Sequence, residues 1–322
     1  MDRLMQLARQ CAALIVRGCG AMRLVILFLL PTIPALAQDK VAGVVVEPRP
    51  WQMSLQPGYS PVARDVIWLN DYIVTPIIVF IVVLVGVLLG WVLWRYNHKR
   101  NPVPSSTTHN RPLEIAWTVI PVLVLIGMAI PSFRIVFFQN RTNDPYMTVK
   151  VTGHQWYWEY DYPDHGNLDF MSNFIPANQL KPGQPRLLTV NHPLVLPVGE
   201  NIRVLQTSGD VIHSFFVPSL GMQRYAIPGQ TIETWVRIDK PGLFYGECNQ
   251  ICGLGHHEMP IEVEGVPLQQ FLAWVKVAQQ QNAANGTIPP VSAVAAATPK
   301  NATALAIAEI KPSSGPAPGK GD

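Results

Sequence analysis

Residues 246–259 read GECNQICGLGHHEM, and this stretch decides how the rest of the chain is interpreted. Its potential metal ligands are Cys248, Cys252, His256 and Met259. Thiolate, imidazole and thioether are soft or borderline ligands, and together they favour copper. Another histidine, His213, lies 35 residues before Cys248. A β-sandwich can bring such a residue to the same end, because one ligand then comes from an earlier strand end and the others from one late loop.

The pattern of donors leaves several kinds of site open. A C-x-x-x-C pair outside the cytoplasm can form a disulfide, but a disulfide explains neither His256 nor Met259. A structural zinc site usually takes its ligands as two tight pairs, and methionine is a poor zinc ligand. A blue-copper site uses a single cysteine, so one thiolate would be left over here. Two bridging thiolates can hold two copper ions, so the donor count favours a binuclear copper site over a disulfide or zinc.

The N-terminus has the pattern of a secretory signal. Four arginines precede an apolar run at residues 24–30, and Ala35-Leu36-Ala37 follows it. We therefore expect a signal peptide at residues 1–37, cleaved after Ala37. A third membrane helix is the alternative, but two prolines and several small residues near the end argue against it. Cleavage would also remove Cys11 and Cys19, leaving only the two cysteines of the motif.

Two long apolar stretches indicate a membrane hairpin at residues 72–140, after a mature N-terminal segment at residues 38–71. Residues 73–94 contain no charge and would form a helix of about 33 Å. Residues 115–133 are also uncharged and would span about 28 Å. The segment between them contains Arg95, Lys99, Arg100 and Arg111. By the positive-inside rule this segment is cytoplasmic, so both ends of the mature chain face outward.

The pattern changes to short alternating runs after about residue 146, and a copper domain is expected at residues 146–280. Strands are predicted at residues 147–153, 186–190, 201–205, 233–238, 243–246 and 260–264. Turns rich in glycine and proline separate them, which is typical of an all-β Greek-key sandwich. The tail at residues 281–322 is rich in Ala, Pro, Ser and Gly, so we expect it to be mostly unstructured, with a short helix at most at residues 304–310.

The charge is distributed unevenly along the chain. Residues 146–280 contain 12 acidic and 8 basic residues, a net charge of −4, whereas the whole chain carries +3. The acidic balance of the domain fits either ordinary surface solubility or a docking face for a basic partner. The sequence has no C-x-x-C-H motif, phosphate-binding loop or basic aromatic patch. These absences argue against a covalent c-type haem and against nucleic-acid binding.

With these motifs identified, the chain resembles subunit II of haem–copper cytochrome c oxidase from about Tyr72 to Lys276. The most specific matches are the metal loop and the run GHQWYW at residues 153–158. Further matches lie at residues 114–121, 131–134, 217–221 and 226–229. The resemblance implies a two-helix transmembrane hairpin followed by an all-β cupredoxin-like Greek-key sandwich. It also implies a multi-pass protein of the bacterial inner membrane, with the copper domain on the periplasmic face.

The resemblance implies a binuclear copper A centre, a mixed-valence pair that carries one electron at a time. Cys248 and Cys252 would bridge the two ions, and His213 and His256 would each bind one of them. The weak ligands would be Met259 and the backbone carbonyl of Gln250. His257, next to His256, is expected to be a surface residue. The implied function is to pass electrons from cytochrome c to a haem of subunit I, where oxygen is reduced in association with other oxidase subunits.

One residue departs from the family pattern. Most members have Glu at the position of Gln250, and that side chain helps to bind magnesium or manganese at the border with subunit I. The backbone ligand to copper is unaffected by the change. An amide is a neutral and weaker oxygen donor to a hard cation, so a magnesium or manganese site is doubtful here.

The resemblance assigns roles to further residues. Trp156 would be the point at which electrons enter. Tyr157 and Trp158 would pack beneath the copper loop. Asp161 and Asp210 would be acidic docking positions for cytochrome c, and Glu114 would lie at the mouth of a proton pathway into subunit I. Without the family, Trp156 could equally be a core residue, the two aspartates solvated loop residues and Glu114 a first-turn acid that the helix dipole stabilises.

Two other functional classes remain open from the sequence. A quinol oxidase subunit II would share the fold and the helices, but it lacks copper ligands, and the Cys, His and Met set argues against it. A membrane-anchored copper carrier or sensor without an enzyme partner is the non-enzyme alternative. Co-purification with a large haem-bearing membrane subunit would distinguish it from an oxidase subunit.

Overall fold

The computed structural model describes residues 43–103, 105–140, 142, 144–166 and 168–297, and the structural statements below concern these residues. The expected signal peptide and the expected helix at residues 304–310 lie outside the described residues.

The first long helix, α1, runs from Pro61 to Arg95. Its start is capped by Ser60, whose side-chain oxygen accepts a hydrogen bond from the backbone N–H of Ala63, and proline occupies the first helical position. The helix therefore begins earlier than the expected hairpin boundary at residue 72, which falls inside it. The charge-free stretch at residues 73–94 forms its second half, as predicted.

The second long helix, α2, is Arg111–Gln139. Asn110 caps it, because its side-chain oxygen accepts from the N–H of Leu113 at 3.2 Å. Pro121 and Pro131 lie within the helix. Both helices are long and apolar enough to cross a membrane, and none of the side chains in their most apolar windows is buried. Apolar surface of this extent requires lipid or other membrane subunits around it.

Two sheets form the rest of the described chain. The first has the strand order β5 (Leu194–Pro197), β11 (Pro260–Val266), β10 (Gly242–Cys248), β7 (His213–Val217) and β8 (Met222–Ala226), with β1 (Val44–Val46) parallel to β10. The second has the order β4 (Leu168–Ser172), β3 (Tyr157–Tyr162), β2 (Met147–His154), β6 (Ile202–Ser208) and β9 (Ile232–Val236). The predicted fold class, two transmembrane helices and a cupredoxin-like all-β sandwich, is confirmed.

The core between the sheets follows from strand periodicity. Alternate residues of β3 point inward, and Trp158, Tyr160 and Tyr162 are completely buried. The ring of Phe215 from the opposite sheet packs edge-on against Trp158, with centroids 5.0 Å apart. Aromatic side chains of this size dominate core energetics, and truncation of Trp158 to Ala would cost about 3–5 kcal/mol. This packing holds the ends of β3 and β7 in fixed positions.

The C-terminal part of the sandwich differs from the expectation for residues 281–322. The helix α3 is Leu268–Asn285 and continues past the expected domain end at residue 280, and a second helix, α4, is Val291–Ala297. Trp274 of α3 is buried and donates its indole N–H to the carbonyl of Pro289 at 2.8 Å. The first part of the expected tail is therefore folded, because its few apolar residues pack against the sandwich.

The strand predicted at residues 186–190 is wrong. These residues form turns, and only Val190 makes an isolated bridge, to Phe174. Leu187 has a positive φ of 65°, and the Thr189 hydroxyl donates to the carbonyl of Pro185 at 3.0 Å. A side chain that bonds to nearby backbone competes with strand pairing.

Candidate metal centre

The two cysteines lie at the end of β10 and in the loop that follows it. Both thiols are buried and free, and their sulfur atoms are 4.0 Å apart. The loop is closed where the N–H of Cys248 donates to the carbonyl of Met259 at 3.0 Å. This backbone bond joins the first and last of the candidate ligands in the loop and keeps both ends of the loop together.

His213 reaches the same place from the start of β7, which pairs with β10. One ring nitrogen of His213 and the two cysteine sulfurs all lie within 4.8 Å of one another. The ring is completely buried, and its Nδ1 has no hydrogen-bond partner among the described residues. Gly153 makes room for the ring, since a Cβ there would lie 2.8 Å from Cδ2 of His213. A buried nitrogen without a partner fits a metal ligand.

Three further donors lie around the sulfurs. Nδ1 of His256 is 3.5 Å from the sulfur of Cys252, and the carbonyl oxygen of Gln250 accepts from the thiol of Cys248 at 3.3 Å. Met259 is buried, with only 1% of its surface exposed. The side chain of His257 is 66% exposed and pairs with Glu258, so His257 is the surface residue of the two histidines.

The electrostatics of the site also suit a cation. Burial, reinforced by the neighbouring Cys248, raises the pKa of the Cys252 thiol to about 12. A metal ion would replace the thiol protons, and its positive charge would offset the repulsion between the two neighbouring thiolates. Two thiols, two imidazoles, a thioether and a carbonyl are a donor set for a soft metal rather than for Mg²⁺ or Ca²⁺. The residues present therefore fit copper.

Trp156 lies on the outer side of the metal loop. It is 36% exposed, and its indole N–H donates to the carbonyl of Cys252 at 3.3 Å. The Gln155 side chain donates to the same oxygen at 2.8 Å. The indole packs so closely on the loop that a Cβ at Gly255 would lie 2.5 Å from it. Trp156 is thus both accessible from solvent and in contact with the backbone of a candidate ligand.

The other aromatic residues of the run divide between two environments. Trp158 is buried and packs edge-on against His213, with centroids 6.0 Å apart. Tyr157 is only partly buried, and its ring stacks on His154 at 4.8 Å. Trp158 therefore packs directly against a candidate ligand, His213, whereas the ring contact of Tyr157 is with His154. The packing of Tyr157 beneath the loop remains a prediction.

The two candidate docking acids are not neighbours. Asp161 lies towards the far end of β3, opposite Lys150 on one side and Asp169 on the other. Burial raises the pKa of Asp161, Lys150 lowers it, and Asp169 raises it further; the net shift is upward. Asp210 instead lies beside the metal cluster. Their docking roles remain predictions.

Asp210 uses both of its carboxylate oxygens within the protein. Oδ2 accepts from the N–H of Gln155 at 2.7 Å, and Oδ1 lies 2.8 Å from Nε2 of His213. Burial by itself would raise the pKa of Asp210, but hydrogen bonds from His213, Val211 and Gln155 outweigh it and lower the pKa. The carboxylate is therefore ionised at neutral pH.

The sequence reasoning missed the contacts made by Gln155 and the inward contacts of Asp210. The spacing of three residues between Asp210 and His213 was the available signal, because a carboxylate this close in sequence to a ligand histidine can reach its second ring nitrogen.

Glu114 lies in the first turn of α2. Its carboxylate accepts from the backbone N–H of Asn110 at 3.1 Å, while Asn110 caps the helix in return. This reciprocal arrangement explains Glu114 as part of the helix start. Its role in a proton pathway remains a prediction.

A sandwich with a cluster of soft donors at one end, attached to two helices of membrane length, defines a membrane-anchored metalloprotein of the cupredoxin-like class. Residues 147–266 match the model of the family "Cytochrome C oxidase subunit II, periplasmic domain", and residues 48–135 match that of its transmembrane domain. The chain belongs to the cytochrome c oxidase subunit II family. It is thus a membrane-bound subunit of an oxidoreductase complex, and its role is to accept electrons for that complex.

Several relatives are similar over most of the chain. A probable cytochrome c oxidase subunit 2 of Rickettsia felis is 45% identical over 250 residues, which are 77% of this chain and 78% of that protein. Cytochrome c oxidase subunit 2 of Cereibacter sphaeroides is 36% identical over 84% of this chain and 93% of its own. The crystal structure of the periplasmic domain of subunit II from Bradyrhizobium japonicum is 42% identical, covers 44% of this chain and 99% of that one, and has a TM-score of 0.41.

Proposed function

We propose that this subunit receives electrons from cytochrome c at a binuclear copper A centre and delivers them to a haem of subunit I. The observation that carries the proposal is the pair of buried sulfurs 4.0 Å apart, together with the unpartnered Nδ1 of His213. A blue-copper site uses a single cysteine, and a Cys2His2 zinc site would leave the buried Met259 and the Gln250 carbonyl without a role.

Six residues would hold the metal in this proposal. The bridging ligands are Cys248 and Cys252, and the terminal ligands are His213, His256, Met259 and the backbone carbonyl of Gln250. Copper would supply a one-electron couple when bound. The protein's part is to keep both thiols buried and close together, to exclude water from them and to fix the ring of His213 in advance.

The surface around the site supports a route for electrons into it. Trp156 is accessible and donates to the carbonyl of Cys252, so it would form the contact with the haem edge of cytochrome c. Tyr157, the next residue, would pack beneath the copper loop. Asp161 and Asp210 would attract the basic partner through the acidic field of the domain.

The proposed location is the bacterial inner membrane, with two spans. The basic residues between α1 and α2 favour a cytoplasmic position for that connection. The copper domain would then lie on the periplasmic face, following a signal peptide at residues 1–37. Glu114, at the cytoplasmic start of α2, would lie at the mouth of a proton pathway. A magnesium or manganese site at the border with subunit I would be weak, because Gln250 offers only an amide.

The test is copper analysis and EPR spectroscopy on the purified full-length chain in detergent. We expect two copper ions per chain and, in the mixed-valence form, hyperfine splitting from two equivalent coppers. Cys252→Ser should abolish the delocalised signal, because one thiolate cannot form a two-sulfur bridge. A single bound copper with the hyperfine pattern of one ion would overturn the proposal.

The neighbouring histidines provide a matched control for the ligand assignment. His256→Ala should lower copper content and change the EPR spectrum, whereas His257→Ala should leave both unchanged. If the two variants behave alike, the assignment of His256 is wrong. Co-purification of the wild-type chain with a haem-bearing membrane subunit would separate an oxidase subunit from a copper carrier.

A further inference from the structure

One carboxylate connects two parts of the site that are far apart in the sequence. Asp210 lies in the loop between β6 and β7, and Gln155 lies in the turn between β2 and β3. Oδ2 of Asp210 accepts from the backbone N–H of Gln155 at 2.7 Å, and Oδ1 accepts from the N–H of Val211 at 2.6 Å. Oδ1 is also 2.8 Å from Nε2 of His213.

The contact with His213 selects the tautomer of its ring. An ionised carboxylate can only accept hydrogen bonds, so Nε2 of His213 carries the hydrogen. The other nitrogen, Nδ1, is then the one with a free lone pair in the neutral ring. Nδ1 is also the buried atom that has no partner among the residues described. A carboxylate that accepts from a ligand histidine fixes its orientation and raises its basicity.

The contact with Gln155 positions the surface side of the site. The backbone of Gln155 is held by Asp210, while its side chain and the indole of Trp156 both donate to the carbonyl of Cys252. Without the bond from Asp210, the backbone N–H of Gln155 would lose this acceptor, and the turn that presents Trp156 would keep only the pairing of His154 with Tyr157 and its two side-chain bonds to Cys252. Asp210 thus lies between His213 and the Trp156 turn.

We propose that Asp210 is a positioning residue for electron transfer through this subunit: its carboxylate presents Nδ1 of His213 to the metal and keeps Trp156 against the metal loop. The inference rests on the copper centre proposed above. It goes beyond a docking role. A charge that attracts a partner does so at a distance without any particular hydrogen bond, whereas positioning requires both of these hydrogen bonds.

The experiment compares Asp210→Ala with Asp169→Ala in the copper-loaded full-length chain. Asp169 is an exposed aspartate of the same domain, so its removal causes the same loss of charge. Loss of a carboxylate behind a ligand histidine typically weakens metal affinity by about 10- to 100-fold. We therefore expect Asp210→Ala to lose copper to a competing chelator about 10- to 100-fold more readily, and Asp169→Ala to match the wild type.

A second measurement separates positioning from general stability. Electron–nuclear double resonance on the copper-loaded chain resolves the nitrogen couplings of the two histidines. One of the two couplings should change in Asp210→Ala, and neither should change in Asp169→Ala. In the metal-free chain labelled with ¹⁵N-histidine, NMR should show a single buried histidine with hydrogen on Nε2 in the wild type and a mixture of tautomers in Asp210→Ala.

A milder pair of variants guards against misfolding. Asp210→Asn keeps the size of the side chain and one oxygen acceptor, but it loses the charge and cannot accept at both sites. Its copper loss and nitrogen coupling should lie between those of the wild type and Asp210→Ala, with Asp169→Asn as the control. If the wild type binds two coppers and both Asp210 variants match their Asp169 controls, this inference is wrong. If the wild type does not bind two coppers, the proposed copper centre fails instead.

Discussion

At the scale of single residues, Gln250 offers two different groups. Its backbone carbonyl accepts from the thiol of Cys248 at 3.3 Å, and its side chain is a neutral amide. The carbonyl is held in place by the closed loop whatever the side chain is. We predict that Gln250→Glu leaves copper content unchanged and causes only a small change in the EPR spectrum, because the side chain is not the ligand.

The same substitution should strengthen any magnesium or manganese site at the proposed border with subunit I, because a carboxylate binds a hard cation better than an amide does. The measurement is manganese EPR on the assembled oxidase from cells grown with excess manganese, comparing Gln250→Glu with the wild type. Higher manganese occupancy is expected in the variant. A wild-type complex that already holds a full equivalent resistant to chelators would show that the amide is a sufficient ligand.

Trp156 allows docking and electron transfer to be separated. Its indole is partly exposed and bonded to the carbonyl of Cys252, so its removal lengthens the route without removing a charge. We predict that Trp156→Ala slows reduction of the copper centre by cytochrome c at least tenfold, which is about 1.4 kcal/mol of activation free energy. Stopped-flow reduction of the assembled oxidase at several cytochrome c concentrations measures the rate and the affinity separately.

Trp156→Phe is the matched control, since it keeps an aromatic ring over Gly255 and loses only the indole N–H. It should fall between the wild type and Trp156→Ala in rate. In both variants the affinity for cytochrome c should stay nearly constant. A loss of affinity with an unchanged limiting rate would reassign Trp156 to packing.

The candidate ligands within one loop could be predicted from spacing, because a short loop keeps its residues together in any fold. The hydrogen bond between Gln155 and Asp210 could not be predicted in this way. Gln155 and Asp210 are 55 residues apart, and their contact depends on how β2 and β6 pair in the second sheet. Likewise, the distance between His213 and the cysteines is set by the register of β7 on β10. Register of this kind depends on packing across the whole sandwich.

At the scale of elements, β11 carries two acids on one face. Glu262 is 7% exposed and accepts from the N–H of Val190 at 3.1 Å. Glu264, also in β11, lines a small cavity together with Trp274 of α3 and Val291 of α4. Burial raises the pKa of each to about 7, and in Glu262 the nearby Glu264 adds to the effect. The pKa of Tyr245 is also raised, mainly by burial and to a smaller extent by the charges of Glu262 and Glu264.

These pKa values predict that the sandwich loses stability as pH rises. The folded state holds the protons up to about pH 7, whereas an unfolded glutamate loses its proton near pH 4.5, so the folded state binds more protons in between. The free energy of unfolding should therefore fall between about pH 5 and pH 8. For the buried Glu262 the raised pKa corresponds to a cost on the order of 3 kcal/mol.

The measurement is thermal unfolding of the full-length chain in detergent, followed by near-ultraviolet circular dichroism from pH 5 to pH 8. Glu264→Gln should flatten the fall in melting temperature, because an amide has no proton to lose. Glu47→Gln is the matched control, since Glu47 is exposed and lies near the same face. A pH profile that is flat in the wild type would contradict the burial of these carboxyls as ionisable groups.

The elements themselves were predictable where one strong pattern decided them. The charge-free stretches gave both long helices, and alternation located β2, β6, β9, β10 and β11. Alternation alone also suggested the strand at residues 186–190, where local hydrogen bonds favour turns instead. The helix α4 was missed because a stretch rich in alanine has little periodic signal, and it is held by packing of Val291 and Val294 against the core.

At the scale of the whole molecule, the chain separates its charges by position. Four basic residues lie at the facing ends of the two membrane-length helices and in the loop between them, and residues 146–280 have a net charge of −4. The first arrangement favours a fixed orientation in the membrane. The second favours attraction of a basic protein to the β-sandwich domain, and such attraction weakens as ionic strength rises.

The acidic field therefore predicts that association with cytochrome c depends on salt. Asp161 is the cleaner probe of this field, because Asp210 also bonds to His213 within the site. We predict that Asp161→Asn lowers the association rate at low ionic strength and flattens its dependence on salt, while the copper spectrum stays unchanged.

Asp65, an exposed residue near the start of α1, is the matched control, since Asp65→Asn removes the same charge near the membrane helix. The measurement is stopped-flow binding of cytochrome c to the assembled oxidase over a range of ionic strength. If Asp161→Asn and Asp65→Asn have the same salt dependence, the acidic balance of the domain reflects ordinary surface solubility.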